Sequence, residues 1–248
     1  MTLKSDKISE SSILVIGADS DIGTALINHL DGNIIAHHYL SADTLATLNS
    51  GTRTVTPIYG DFSSLDGIRD FIGKVKAIDR TISKIVHLPS SPAIPSRLSK
   101  FDPENFIREI NIQVISAAMI FSEFLPPMAK REFGRVSVML TSYCIGVPPK
   151  YLTGYVSAKY ALMGLMKSIA AEYAGKGITV NAIAPSMTMT KFLSSLPDFE
   201  IESSARLNPM GRNAVTEDLV PIIKMLLNDD NSFMTGAIIP VTGGSALY

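Results

Sequence analysis

Short runs of consecutive apolar residues alternate, along nearly the whole chain, with longer stretches in which apolar residues recur every three or four positions. This pattern predicts strands at 12–17, 33–38, 53–59, 84–88, 135–141, 178–183 and 237–241. It predicts helices at 22–30, 64–77, 103–131, 154–174 and 216–227. Runs such as Ile13-Leu14-Val15-Ile16 and Ile178-Thr179-Val180 lack the polar alternation of a half-solvated strand, so they are expected to be covered on both faces. Strands of this kind, interleaved with helices, imply βαβ units and a parallel sheet. The expected fold class is therefore α/β, a single-domain, doubly wound parallel sheet of about seven strands with helices on both faces. No repeat, charge run or linker divides the chain. Residues 1–11 read as a polar N-terminal tail and 12–248 as the domain.

Composition narrows the function classes. The 248 residues are 46% hydrophobic and 18% charged with a formal net charge of −1, which leaves no electrostatic footprint for nucleic acid or an anionic membrane. One cysteine, Cys144, excludes an intramolecular disulfide and a cysteine-rich metal site. No carboxylate spacing joins His37, His38 and His87 into a ligand set, so no metal is expected. No run of about 18 apolar residues occurs, and the first residues, with Lys4, Asp6, Lys7 and Glu10, lack the apolar core of a signal peptide. A cytoplasmic protein without a membrane span is expected.

Candidate chemistry lies in the second half. Tyr155 and Lys159 fall one turn apart on one face of the predicted helix, which sets an ammonium beneath a phenol and favours the phenolate. Ser142, thirteen residues upstream, ends an apolar strand where its hydroxyl can hold a carbonyl oxygen. This is equipment for reducing a ketone or oxidising an alcohol. An isolated pair at this spacing is more often a tyrosine packed on a lysine stem, so the rest of the chain decides. The first strand–helix turn is Gly17-Ala18-Asp19-Ser20-Asp21-Ile22-Gly23, whose glycines allow a pyrophosphate to approach a helix N-terminus.

Taken in order, these motifs resemble the short-chain dehydrogenase/reductase family from about Ser12 to Gly244. The resemblance implies a Rossmann fold and an NAD(P)-dependent oxidoreductase, with NADP favoured. It implies a catalytic tetrad of Asn111, Ser142, Tyr155 and Lys159. It places Gly17, Asp19, Ser20, Asp21, Ile22 and Gly23 in the cofactor loop and Asp61 and Phe62 at the adenine. It places Pro185, Ser186, Thr188 and Thr190 at the nicotinamide carboxamide. His38 and Ser41 are expected near the ribose 2′-phosphate, since no Asp or Glu follows strand two before Asp43. The segment 187–207 is expected to form a lid, with Cys144, Met187, Met189, Phe192 and Leu196 towards substrate and Leu193 and Phe199 facing in.

The chain departs from the family pattern in several places. Asp21 replaces a glycine; its carboxylate either repels pyrophosphate or caps the helix, and capping is favoured. His87-Leu88-Pro89-Ser90 replaces Asn-Asn-Ala-Gly, and Ser186 replaces a glycine. The C-terminal half is most similar to the 3-oxoacyl-[acyl-carrier-protein] reductase branch, which implies a carrier-bound 3-oxoacyl thioester as substrate. Lys130, Arg131 and Lys176 stand where that branch docks its acyl carrier protein, although ordinary solvated charge explains them as well. A sugar or polyol reductase is the enzymatic alternative, and a non-catalytic nucleotide-binding or oligomerising relative is the alternative of another class. Surplus apolar residues on the two long helices, including Ile112, Ile115, Met119, Leu162, Leu165 and Ile169, point to a homodimer or homotetramer.

Overall fold

The computed structural model describes residues 11–194 and 196–246, so the polar stretch predicted as a tail lies, apart from Ser11, outside the described residues. Seven strands form one parallel sheet in the order β3-β2-β1-β4-β5-β6-β7. They are β1 (Ser12–Ile16), β2 (Gly32–His38), β3 (Arg53–Tyr59), β4 (Ile82–His87), β5 (Gly134–Met139), β6 (Ile178–Pro185) and β7 (Ile238–Val241). Every residue of β5 and β6 is buried, the polar Arg135, Ser137, Thr179 and Asn181 included.

The helices are α1 (Asp21–Ile27), α2 (Asp43–Ala46), α3 (Leu65–Ala77), α4 (Pro103–Ile110), α5 (Ser116–Lys130), α6 (Thr153–Tyr173), α7 (Asp198–Leu207) and α8 (Thr216–Leu227). Two cores flank the sheet. Phe71, Phe121, Leu162 and Met166 pack on one face, beneath α3, α5 and α6. Leu26, Ile27, Leu219 and Ile223 pack on the other, beneath α1 and α8. Burying one such large side chain contributes about 1.5–3 kcal/mol, which is why these positions set the layer order.

The helix predicted over 103–131 is interrupted. A turn of π-helix at Asn111–Ile115 separates α4 from α5, and the Ser116 N–H donates to the Asn111 carbonyl. By length and composition the helical stretch 103–130 would suffice to cross a membrane, yet its Ile120, Phe121, Leu125 and Met128 are used on the core. Among the predicted surplus residues Leu162 is fully buried, while Ile112, Ile115, Met119, Leu165 and Ile169 are partly buried against the same core. Helix α7, with no buried residue, and the single-turn α2 have no counterpart in the predicted elements.

Strand order reverses between β1 and β4. In an open α/β sheet the crevice outside the strands' C-terminal ends at that point is where ligands bind.

Candidate active site

The turn between β1 and α1 forms one wall of the crevice. Gly17 has a φ of +77°, and a Cβ on Gly23 would lie 2.5 Å from the Gly17 carbonyl, so both positions need glycine for the turn to close. Ser20 caps α1, its Oγ accepting from the Gly23 N–H at 3.0 Å. The cap expected of Asp21 is therefore supplied by Ser20. Asp21 instead accepts from the Lys191 N–H at 2.6 Å, and its other oxygen is 3.8 Å from Lys191 Nζ. A carboxylate one residue past the cap is free to reach across the crevice to the segment after β6.

Asp19 likewise turns outward, accepting from the Tyr39 and Leu40 N–H groups at 2.9 and 2.8 Å, which joins the glycine-rich turn to the loop after β2. His37 is buried between the same elements. Its Nδ1 accepts from the Gly17 N–H at 3.0 Å, its Nε2 lies 3.0 Å from the Gly60 carbonyl, and its ring stacks on Phe62 at 4.1 Å. Burial lowers its pKa to about 4, so it stays neutral. Asp61 is half-buried and accepts from the Ser63 N–H. His38 Nδ1 is buried without a partner at the end of β2, and Ser41 accepts from the Asp43 N–H.

The second wall carries the predicted tetrad. Ser142 opens a 3-10 turn just beyond β5, and Tyr155 and Lys159 occupy the first turns of α6. Lys159 is buried. Its Nζ donates to the Met139 carbonyl at 3.0 Å and lies 5.7 Å from the Tyr155 ring centroid. Desolvation lowers its pKa to about 8, opposed by the fields of Cys144 and Glu109. Desolvation pushes the Tyr155 phenol well above its ordinary range, opposed by a hydrogen bond with Thr141. The hydroxyl that bonds the phenol is thus that of Thr141, the neighbour of Ser142. Among the described residues no bond joins Ser142 to Tyr155. Asn111 Nδ2 donates to the Ser63 carbonyl at 2.8 Å, and the π turn holds its backbone beside α6.

These motifs recur in known proteins. Residues 22–246 match the family described as Enoyl-(Acyl carrier protein) reductase. The chain is 27% identical over 240 residues to 3-oxoacyl-[acyl-carrier-protein] reductase FabG of Thermotoga maritima, covering 93% of this chain and 96% of the relative. It superposes with a TM-score of 0.86 and 27% identity on a 3-oxoacyl (acyl-carrier-protein) reductase of Agrobacterium tumefaciens with NADP bound, covering 98% of each chain. A putative NAD(P)-dependent gluconate 5-dehydrogenase of Beutenbergia cavernae superposes with a TM-score of 0.87 at 21% identity, covering 96% of this chain and 97% of that one, a likeness of fold alone. The chain belongs to the short-chain dehydrogenase/reductase family.

As a short-chain dehydrogenase/reductase it is an NAD(P)-dependent oxidoreductase acting on CH–OH and C=O groups. Its residues fit a dinucleotide, NADP or NAD. The Asp21 and Ile22 N–H groups open α1 without an acceptor among the described residues, as a pyrophosphate site requires. Asp21, the departure that threatened this site, has its carboxylate engaged by Lys191. The unpartnered His38 Nδ1 lies at the end of β2. Beyond β6, Ser186 N–H donates to the Val241 carbonyl, and the Thr188 and Thr190 hydroxyls donate to the Ser186 and Thr188 carbonyls. Pro185 ends the strand beneath them.

His87 stands where the family carries the first asparagine of its strand-four loop. It bonds Ser116 Oγ at 3.0 Å and so ties β4 to α5, while its Nδ1 has no partner. Burial lowers its pKa to about 3. Cys144 is buried and its thiol is pushed up, which suits packing rather than nucleophilic attack.

In the segment 187–207, Phe192 approaches the Tyr155 ring at 6.2 Å, Leu193 is buried, and Met187 and Leu196 are half-buried. Met189 is exposed, and Phe199, expected to face in, is 66% exposed because α7 packs no side chain into the core. Lys130, Arg131 and Lys176 are all exposed, and the Arg131 guanidinium also donates to the Ile82 carbonyl at 2.6 Å. All three sit by the N-terminal ends of β4, β5 and β6, the end of the sheet opposite the tetrad.

Sequence reasoning missed Glu109. This carboxyl is buried, accepts from Gln113 Nε2 at 2.6 Å, and is bonded by the Ser91 hydroxyl. An acid and an amide four residues apart, Glu109 and Gln113, were the only local signal for it. Among the described residues no cluster of three or more His, Cys, Asp or Glu could hold a metal.

Proposed function

We propose that this oxidoreductase is a ketoreductase of 3-oxoacyl thioesters borne on an acyl carrier protein. The observation that supports this most is the near end-to-end likeness, at 27% identity, to two proteins named as 3-oxoacyl-acyl-carrier-protein reductases. When bound, the reduced dinucleotide supplies the hydride. The chain does the rest: Tyr155 gives its phenolic proton to the carbonyl oxygen, and Ser142 donates a second hydrogen bond to that oxygen. Lys159, cationic below about pH 8, holds the nicotinamide ribose and stabilises the phenolate left behind. Asn111 passes replacement protons to Lys159 through water. The raised phenol suits this direction, because Tyr155 carries its proton until the carbonyl oxygen becomes basic.

Residues 187–207 act as a lid, with Phe192 against Tyr155. Lys130 and Lys176 dock the acidic carrier. They lie at the far end of the sheet from the tetrad of the same chain, and the protein works as a cytoplasmic homo-oligomer. A sugar or polyol reductase is the second reading, favoured by Arg97, Asp102, Asn105 and Glu109 around the cleft beside Tyr155.

Purified protein offered carrier-bound and small 3-oxoacyl thioesters, sugar ketones and simple ketones, with NADPH and NADH followed separately, tests the proposal. Lys130→Glu with Lys176→Glu should raise KM for the carrier thioester and leave the small thioester unchanged, and salt should mimic that change. Reduction of sugar ketones alone would replace the proposal with the second reading. Dinucleotide binding with no reduction at all would favour the non-catalytic alternative.

A further inference from the structure

A cleft opens beside Tyr155 between the loop after β4, the start of α4 and the start of α6. Its cavity volume is about 70 Å³, and Ile94, Leu98, Phe101, Phe106 and Leu152 make much of its wall apolar. Glu109 also lines it, although the residue is only 5% exposed. A carboxyl at that depth is costly unless its oxygens are satisfied. Its partners are Gln113 and Ser91, one donor each. A carboxyl has room for about four.

Gln113 sharpens the imbalance. It is fully buried, its Nε2 is committed to Glu109, and its Oε1 has no partner. Gln113 Oε1 and the under-filled Glu109 carboxyl therefore leave acceptor capacity unmet beside the cleft that Glu109 lines. The nearby cation, Lys159, gives its hydrogen bond to Met139. A buried acceptor without a donor costs folding free energy and is retained where a ligand or water completes it.

Resting on the reading of Tyr155 as proton donor, we propose that Glu109 is a specificity-determining residue that accepts a hydrogen bond from a hydroxyl or amide N–H of the substrate, distal to the reacting carbonyl. A substrate held by its carbonyl at Tyr155 extends into the cleft that both residues line, and its donor meets Glu109 with Gln113 behind it. An anionic group at the same depth brings Glu109 no donor and is disfavoured. Plain ketones fit the apolar wall but leave Glu109 unpaired, and a site built for a hydrogen bond discriminates against the analogue that lacks it. The donor comes from one of two sources, the amide arm of a pantetheine-like thioester or the hydroxyl of a polyol.

Matched pairs separate these sources: acetoacetyl-N-acetylcysteamine against S-butyl acetothioacetate, and a hydroxyketone against its deoxy analogue. The wild type should prefer the donor-bearing member of at least one pair by about 10- to 100-fold in kcat/KM. Glu109→Leu should abolish that preference, mainly through KM, while leaving dinucleotide affinity and turnover of the donor-free member within about 3-fold. Glu109→Gln, which keeps an acceptor and the side-chain volume, should retain most of the preference. Equal rates for both members of each pair in the wild type would overturn the proposal, and this arm needs no folded variant. So would a Glu109→Leu enzyme that loses both members alike. Discrimination confined to the hydroxyketone pair keeps Glu109 in its role and removes the acyl-thioester reading. Undiminished turnover in Tyr155→Phe would remove the reading of the tetrad on which the proposal rests.

Discussion

The two walls of the crevice are built on opposite terms. On the β1–β2–β3 side polar groups are closed on one another: His37 has a backbone partner at each nitrogen, Asp19 holds two amides, and Asp21 holds a third. On the β4–β5–α6 side they are held short of partners. Lys159 is buried with a single carbonyl acceptor and no ion pair among the described residues, and His87 Nδ1 and Gln113 Oε1 have no partner. His38 Nδ1 is an exception on the first wall. A satisfied polar network rigidifies, whereas a lysine depressed to about 8 is poised to change protonation. The first wall is a preset cradle and the second keeps the reactivity.

Substitutions in the second wall should have the largest effects. Tyr155→Phe should cut turnover by about 10²–10⁴-fold with dinucleotide affinity intact, as steady-state rates beside a fluorescence titration would show. Lys159→Ala should lose both. Because the Lys159 charge is present below about pH 8 and lost above it, ketone reduction should decline as pH rises through that value. Ser142→Ala should cost about 10–100-fold in kcat. Thr141→Val should instead move the pH profile upward, since Thr141 is the hydroxyl that lowers the phenol.

A smaller effect concerns both walls together. His37 and His87 have folded pKa values of about 4 and 3, below the ordinary 6.5. Between 6.5 and those values the unfolded chain binds protons that the native chain refuses, so stability is full above 6.5 and falls with pH. Each histidine contributes a slope of about 1.4 kcal/mol per pH unit there. Denaturant titrations from pH 7 to 4.5 should show the loss, and His87→Asn should roughly halve its slope.

The smallest effect belongs to Asp21. Asp21→Asn should change dinucleotide affinity by less than about 3-fold, since a part-exposed contact is worth little. Amide exchange at Lys191 should nevertheless quicken, because its acceptor loses charge. A large gain in affinity would mean that the carboxylate faces the pyrophosphate after all.

The contrast between the walls also explains what was legible in the sequence. Strands such as 12–17 and 178–183 were readable because burial on both faces leaves a nearly continuous apolar run. Tyr155, Lys159 and Ser142 were readable because their chemistry fixes local spacing. Helix α7 was not, since it buries none of its residues and so has no apolar stripe to betray it. The contact between Asp21 and Lys191 spans 170 residues, and no local pattern encodes it. The π turn at Asn111 left no mark either, because its residues are as apolar as the helices on each side. Glu109 lay two positions from a residue already singled out, but its burial comes from packing between α4 and α6, which the chain order does not display.

Direct hydride transfer with Tyr155 as the proton source is the central claim, and isotopic labelling tests it most directly. The enzyme would be mixed with a dinucleotide carrying deuterium at the reacting C4 position and with a ketone that it reduces. Mass analysis should find one deuterium on the carbinol carbon for each dinucleotide oxidised, and Tyr155→Phe should give almost no labelled product in the same time. Product without deuterium, or equal labelling in the variant, would contradict the account.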